Sequence, residues 1–421
     1  MTNIFVEAAH DAPLVWFDIT MYGGAAFDPI GIEGLHRHAA LWARRGAGSR
    51  NRQTLDEYLD QLGASLEVGV GRDSVTMSGV ALTRTIDRVI DAACDILAAP
   101  RFDHDEHARL LRETPQLIDE VRDDDGALAT RWFDYRCCPG HPYGRTALGT
   151  EASLRRITVD NAAAAWRRLV ATNNIVIGIA GDVDEARAQQ LGQRILANLP
   201  TGMQIEPPAD TWTRLPGMRT TIVDKPARTQ AQIRIGHLTP SYRPEQAPAI
   251  AIAEAALGGM FSSRLMQEIR VKRGWSYGAG CGFRRSRISH WFEAWMATGI
   301  EVAVPAVKLT RDILRDFADN GPTDEEIDLA RSYLVGALPF QRATARQRMQ
   351  LAVRDTVMSL PSNFAAHLAA AIAATSGAEV RQACRDFLAP DDLATVIVTT
   401  GESIEDTMGL GHVMRVEAPD Y

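Results

Sequence analysis

Ten histidines are the first place to look for chemistry in this chain. Two imidazoles four residues apart on a helix, with an acid between them, turn toward one metal ion, but no H-x-x-E-H occurs. The nearest arrangements are His36 with His38, the run His104-Asp105-Glu106-His107, and the run from His290 to Glu293. Residues two apart on a helix diverge. In the second run the histidines are three apart at a polar helix start, where Asp105 and Glu106 favour the positive helix end. The third lies in a strand pattern, and a solvated or satisfied histidine is the better reading of all three. Gly178 to Gly181 and Gly401 offer neither G-x-G-x-x-G nor G-x-x-x-x-G-K-[ST], so no phosphate cradle is expected. No serine stands in G-x-S-x-G, and no cysteine carries a flanking catalytic signature.

A second stretch, GGMFSSRLMQEIRVKRGWSYGAGCGF over 258–283, is different. Gly258 and Gly259 loosen a helix junction, and Leu265, Met266 and Ile269 repeat as the apolar side of the helix that follows. Gly274 caps that helix and Tyr277 opens a strand. Arg270 and Tyr277 are thereby brought to one end of a helix-to-strand turn. On physics alone, Arg270 favours the negative helix end and Tyr277 is an amphipathic strand residue.

The elements that must hold these residues fall into two halves. TGMQIEPPADTWTRLPG, residues 201–217, breaks apolar periodicity between a helix ending in ILANLP and a strand beginning TTIVD. Each half then runs strand, Ala/Leu-rich helix, glycine-rich alternating strands, amphipathic helices and a final buried strand, NNIVIGIAGD or DLATVIVTTGE. Residues 65–70 and 75–82 flank a Gly71-Arg72-Asp73 turn as a hairpin with Val75, Met77 and Ala81 on one face. Thr54 and Glu57 read as a capping box for a helix that Gly63 stops. The expected fold is α+β, two homologous α/β sandwich domains at 1–200 and 218–421 joined by the linker 201–217.

Composition narrows the function. The 421 residues are 46% hydrophobic and 23% charged, and 45 Lys+Arg against 53 Asp+Glu give a net charge of −8. That balance gives nucleic acid no electrostatic purchase. No apolar run approaches the roughly 20 residues of a membrane span, and MTNIFVEAAHDAPLVWF has no signal-peptide pattern, so a cytoplasmic location is expected. Five cysteines without a pairing pattern read as reduced thiols.

The 258–283 stretch strongly resembles the second-half motif of the insulinase, pitrilysin and mitochondrial processing peptidase family. There a glycine-rich segment precedes S-R-L, a helix ends in R-x-K-R-G, and a tyrosine follows the arginine by seven residues. GIEGL, GASLEVGVGRDSVTMSGVAL, PGHPYGRTALGTEASLRRIT, NNIVIGIAGDVD and VDKPARTQAQI extend the resemblance over nearly the whole chain, in the family's order. It implies two homologous domains with a chamber between them or their partners.

The departure is as informative. Active members of the family read G-L-x-H-x-x-E-H in the first helix, with a glutamate ligand downstream. Here GLHRHAALWARRG puts Arg37, Ala40 and Leu41 at the two imidazoles and the general base. None of these side chains binds Zn²⁺ or takes a proton from its water. Asp119 and Glu120, near the expected third ligand, could not hold the ion alone, and His36 and His38 lie off register, expected at the surface. The resemblance therefore implies a non-catalytic subunit of a heterodimeric zinc metalloendopeptidase. It has no metal of its own, and zinc is expected in a homologous partner subunit. Arg270 and Tyr277 are implied as catalytic groups acting in trans, with Gly258, Gly259 and Arg270 meeting the peptide substrate. Nucleic acid and membrane are not expected partners. The alternative is a structural or assembly protein that kept the fold without a part in catalysis, and a lone peptidase with zinc on His36 and His38 is the weakest reading. The substrate is left open; the peptide precursor of pyrroloquinoline quinone is one possibility.

Overall fold

The computed structural model describes residues 4–210, 212–404 and 408–418. Its first sheet uses β1 (Ile4–Ala8), β2 (Leu14–Tyr22), β3 (Ser65–Val70), β4 (Ser74–Leu82) and β5 (Ile175–Gly181), in the order β1-β5-β2-β4-β3. The second uses β6 (Arg219–Asp224), β7 (Gln230–Thr239), β8 (Ser276–Arg284), β9 (His290–Gly299), β10 (Ala394–Thr399) and β11 (His412–Glu417), in the order β8-β9-β7-β10-β6-β11. Apart from β11, the second sheet repeats the first strand for strand. Each has one parallel pair, β1 with β5 and β6 with β10, and is otherwise antiparallel across these five strands. The duplication inferred from element order is thus present in the hydrogen-bonding pattern, and β3 and β8 are the equivalent edge strands.

Local chemistry accounts for the elements. In β4, Val75, Met77 and Ala81 are fully buried, as the alternation requires. β5 and β10 are buried along their whole length, the mark of strands covered on both faces. Gly79 in β4 leaves room for Phe17, whose ring would lie 2.2 Å from a Cβ there. One cap differs from the expected one. The helix Arg52–Gln61 begins two residues before Thr54, and the Asn51 side chain accepts from the Thr54 N–H, so Asn51 and not the Thr54/Glu57 box closes its start.

The chain forms two compact units, and they are not its two contiguous halves. The first comprises Met1–Ile118, Arg145–Pro208 and Pro339–Ala365; the second comprises Asp119–Gly144, Ala209–Leu338 and Ala366–Tyr421. Each unit therefore takes one segment from the opposite half. In the first, the helix Ala345–Val357 lies on β5, where Gly178 admits Met349 and Val353: a Cβ would stand 2.2 Å from the Met349 sulfur. In the second, the helix Asp125–Cys137 covers β7 and β10, and Gly236 admits Phe133, 2.9 Å from a would-be Cβ. A glycine under an aromatic or a methionine is how a helix sits this close to a sheet. The 201–217 linker reading could not anticipate the exchange, because the breaks at Ile118 and Leu338 carry no loop composition.

All five cysteines are buried and free. Among the described residues, no helix is long and apolar enough to cross a membrane.

Candidate functional site: an unpaired arginine beside an edge strand

The helix Leu35–Ala43 starts at Gly34, in the left-handed region at φ 91°, where a Cβ would stand 2.8 Å from the Leu148 carbonyl oxygen. Its first turn is satisfied by the buried carboxylate of Asp28, which accepts from the Gly34 N–H at 2.7 Å and the His36 N–H at 2.8 Å. The same Asp28 holds the His36 ring, with Nδ1 to Oδ1 at 2.6 Å. His38 Nε2 lies 2.8 Å from His107 Nδ1, and its ring packs beside Trp42. The surface position expected for the two histidines is therefore corrected: His36 is 5% and His38 3% exposed, because the buried Asp28 and the half-buried His107 give each ring a partner. Burial, with His107, Arg37 and Arg45 nearby, drives the His38 pKa down to about 3, so this imidazole stays neutral.

Arg37 is half-buried and Ala40 fully buried, and Leu41 packs against the core. Burial lowers the Arg37 pKa, Arg45 adds to this, and Glu113 opposes it. A guanidinium, a methyl and an isobutyl group do not fit Zn²⁺. Asp119 and Glu120 are exposed, and Asp119 accepts from Arg122 at 3.0 Å. Just beyond the C-terminal end of this helix, Arg45 binds Glu106 and Glu113, on one face of the helix His104–Asp123, at 3.1 and 2.5 Å. Their spacing of seven residues was the available signal for that shared face.

The second unit holds the arginine and tyrosine. The helix Ala247–Glu254 widens into a π-helical turn, Ala255–Gly259, and a second such turn covers Met266–Val271. Widened turns of this kind are frequent at functional sites. Gly258 is buried against β8, and a Cβ on it would stand 2.5 Å from the Cys281 nitrogen. Gly258 is thus closely packed, whereas Gly259 is exposed. Leu265 and Ile269, both fully buried, anchor the second turn, and Gly274, at φ 65°, ends it.

Every basic side chain of this helix except one has a carboxylate. Arg264 binds Asp316 at 2.6 Å and Glu326 at 2.5 Å. Lys272 and Arg273 share Glu268, at 2.5 and 2.7 Å. Arg270 makes no ion pair and no side-chain hydrogen bond among the described residues. Its guanidinium carbon lies instead over two rings, 4.8 Å from the Tyr277 centroid and 5.2 Å from that of Phe261.

Tyr277 is 90% exposed and Phe261 63%. The pairing of β8 with β9 shifts register between Ser276 and Ala279, so Tyr277 sits in a bulge of an edge strand. Such bulges re-aim side chains beside active sites. The Ser276 hydroxyl holds the bulge by donating to the Gly278 carbonyl at 2.6 Å. The product is an exposed phenol beside a half-buried guanidinium, neither with a hydrogen-bond partner among the described residues. Phe261 was missed in the sequence, where an aromatic residue in a turn carries no motif.

Residues 156–334 match the family model of the peptidase M16 inactive domain. The chain is 22% identical to the non-peptidase homolog YmxG of Helicobacter pylori, over 94% of this chain and 91% of that one. It is 26% identical to an uncharacterized zinc protease of Streptomyces coelicolor over 69% of this chain and 64% of that one. A solved structure of a peptidase M16 inactive domain from Pseudomonas fluorescens shares the fold at a TM-score of 0.88 and 21% identity, covering 94% and 96% of the two chains. The periplasmic protease PqqL of Escherichia coli shares it at 0.76 and 15% identity, with 93% of this chain matching 44% of that longer one. Residues 156–334 thus match the peptidase M16 inactive domain, and the chain as a whole shares the fold of a solved structure of that domain.

Proposed function

We propose that this chain is the non-catalytic subunit of a two-subunit zinc metalloendopeptidase, completing the peptide-binding chamber of a homologous zinc-bearing partner and lending it Arg270 and Tyr277. The observation that carries this reading is the contrast between the two motifs. Where the family's zinc ligands and base would stand, Arg37, Ala40 and Leu41 have removed the chemistry. Where the family's arginine and tyrosine stand, both side chains keep free donors, with no hydrogen-bond or ionic partner among the described residues. A scaffold has no use for an arginine left without a carboxylate beside three cations that each have one.

In this role the Tyr277 hydroxyl donates to the oxyanion that develops at the scissile carbonyl. Arg270 donates to carbonyl or carboxylate oxygens of the same peptide and fixes its position. Both are fixed-geometry donors of the kind that stabilise charge appearing in the transition state. Co-expression with a homologous subunit that retains H-x-x-E-H, followed by a peptide-cleavage assay, tests the reading. The pair is expected to cleave and each chain alone is not. Cleavage by the partner at an undiminished rate without this chain would overturn it.

A further inference from the structure

Phe261 has no structural reason for its place. It is a large apolar side chain in a turn, 63% exposed, and it lies outside the buried core of its unit. What it touches is Arg270, whose guanidinium lies over its ring at 5.2 Å and over that of Tyr277 at 4.8 Å. Ring faces attract the cation and cover the poorly hydrated guanidinium plane, but they accept none of its in-plane N–H groups. The nearest acid in sequence, Glu268, is already held by Lys272 and Arg273. Arg270 is left as a cation with a chosen orientation and, among the described residues, without a counter-ion.

We infer that Phe261, Arg270 and Tyr277 form one carboxylate receptor, in which Phe261 is the positioning residue that holds the guanidinium edge toward the ligand. The inference deepens the proposed function and rests on it for the ligand being a peptide: the peptides handled by this site present a carboxylate to Arg270. A planar guanidinium edge meets a carboxylate through two parallel hydrogen bonds, which a single amide carbonyl cannot accept in the same way. The carboxylate belongs to the peptide C-terminus or to an Asp or Glu side chain. Holding the guanidinium still before binding lowers the ordering cost of that contact.

The test uses the full chain without a partner, so that it does not depend on catalysis. The Arg270 Nε–H signal, assigned by its loss in Arg270→Lys, is followed by nuclear magnetic resonance at low salt with three probes. These are acetyl-tetra-alanine with a free C-terminus, the same peptide as its C-terminal amide, and that amide with one internal Glu. At least one of the two carboxylate peptides should move the signal saturably, and which of them does so names the source of the group; the neutral amide should not. Phe261→Ala should weaken carboxylate binding about two- to tenfold, the span of one cation–π contact, while Phe261→Trp should retain it. Melting temperatures of both variants are measured alongside, and an exposed position predicts little change. Equal binding of the neutral amide, tighter binding of inorganic phosphate, or wild-type binding by Phe261→Ala would each overturn the inference. In the assembled pair, Phe261→Ala should raise KM by a similar factor with kcat held. A chain that binds carboxylates but activates no partner would defeat the proposed function and leave the receptor standing.

Discussion

Two arginines six residues apart show how little residue type alone decides. Arg264 is neutralised by Asp316 and Glu326 and stacked on Phe317, so it fastens its helix; Arg270, on the same helix, has only rings for company among the described residues. The spacing from Arg270 to Tyr277 was legible because a family motif fixes it, whereas the distinction between a paired and an unpaired arginine depends on acids some fifty to sixty residues away in the chain, Asp316 and Glu326. The same limit hid the fate of His36 and His38, whose partners Asp28 and His107 lie outside any local pattern. At the lost zinc positions the prediction is direct. The purified chain, exposed to Zn²⁺ and desalted, should retain far less than one equivalent by elemental analysis. Stoichiometric, chelator-resistant zinc would contradict the reading of Arg37, Ala40 and Leu41. The triple substitution Arg37→His, Ala40→Glu and Leu41→His should recover weak binding at best, because the hydrogen bonds that orient metal-binding side chains are not restored with the ligands.

Among the elements, strands and their alternation were readable from periodicity, and the strand order of the two sheets was not. Register and the choice of which helix covers which sheet are set by contacts between distant segments, such as Met349 and Val353 over Gly178. Gly178→Ala should therefore cost on the order of 1–3 kcal/mol in chemical denaturation, through overpacking against the helix Ala345–Val357. Gly69→Ala, at a site with open space around the added methyl, should be near neutral. If both behave alike, the packing account of the exchanged helix fails.

A second element-scale prediction concerns Glu254, at the junction where the helix Ala247–Glu254 widens. Burial raises its pKa from 4.5 to about 7, opposed by the hydrogen bond from the Phe283 N–H at 3.0 Å. Between those values the folded chain keeps a proton that the unfolded chain has released. Its contribution is thus full below pH 4.5 and is lost as pH rises to about 7. His38, His237 and His290 act in the opposite sense. Burial lowers their pKa values to about 3, 4 and 4 from 6.5, so stability is lost as pH falls below 6.5. Glu254→Gln isolates the first effect. Relative to the parent chain, its stability should improve between pH 5 and pH 8 by on the order of 1–3 kcal/mol. A pH-independent difference would show that Glu254 ionises freely.

For the molecule as a whole, the repeat of one strand order in two sheets places the helix Leu35–Ala43 in the first unit and the Phe261, Arg270 and Tyr277 cluster at the start of the edge strand β8 in the second. The duplication was visible in the order of elements, but the segments Asp119–Gly144 and Pro339–Ala365 were assigned to the wrong units by any reading that cuts the chain once. Such an exchange ties the units together covalently at several points. Under the proposed function, this chain completes another protein's site, and a stable pair with a zinc-bearing homologue is the working form that the proposal expects. The measurement that bears most directly on this is the steady-state kinetics of that pair with Tyr277→Phe, a substitution that removes one hydroxyl from an exposed ring. Assembly and melting temperature should be unchanged while kcat falls by about 10- to 1,000-fold, the scale for one oxyanion donor. An assembled pair with parent kcat and KM would contradict the account and reduce this chain to a scaffold.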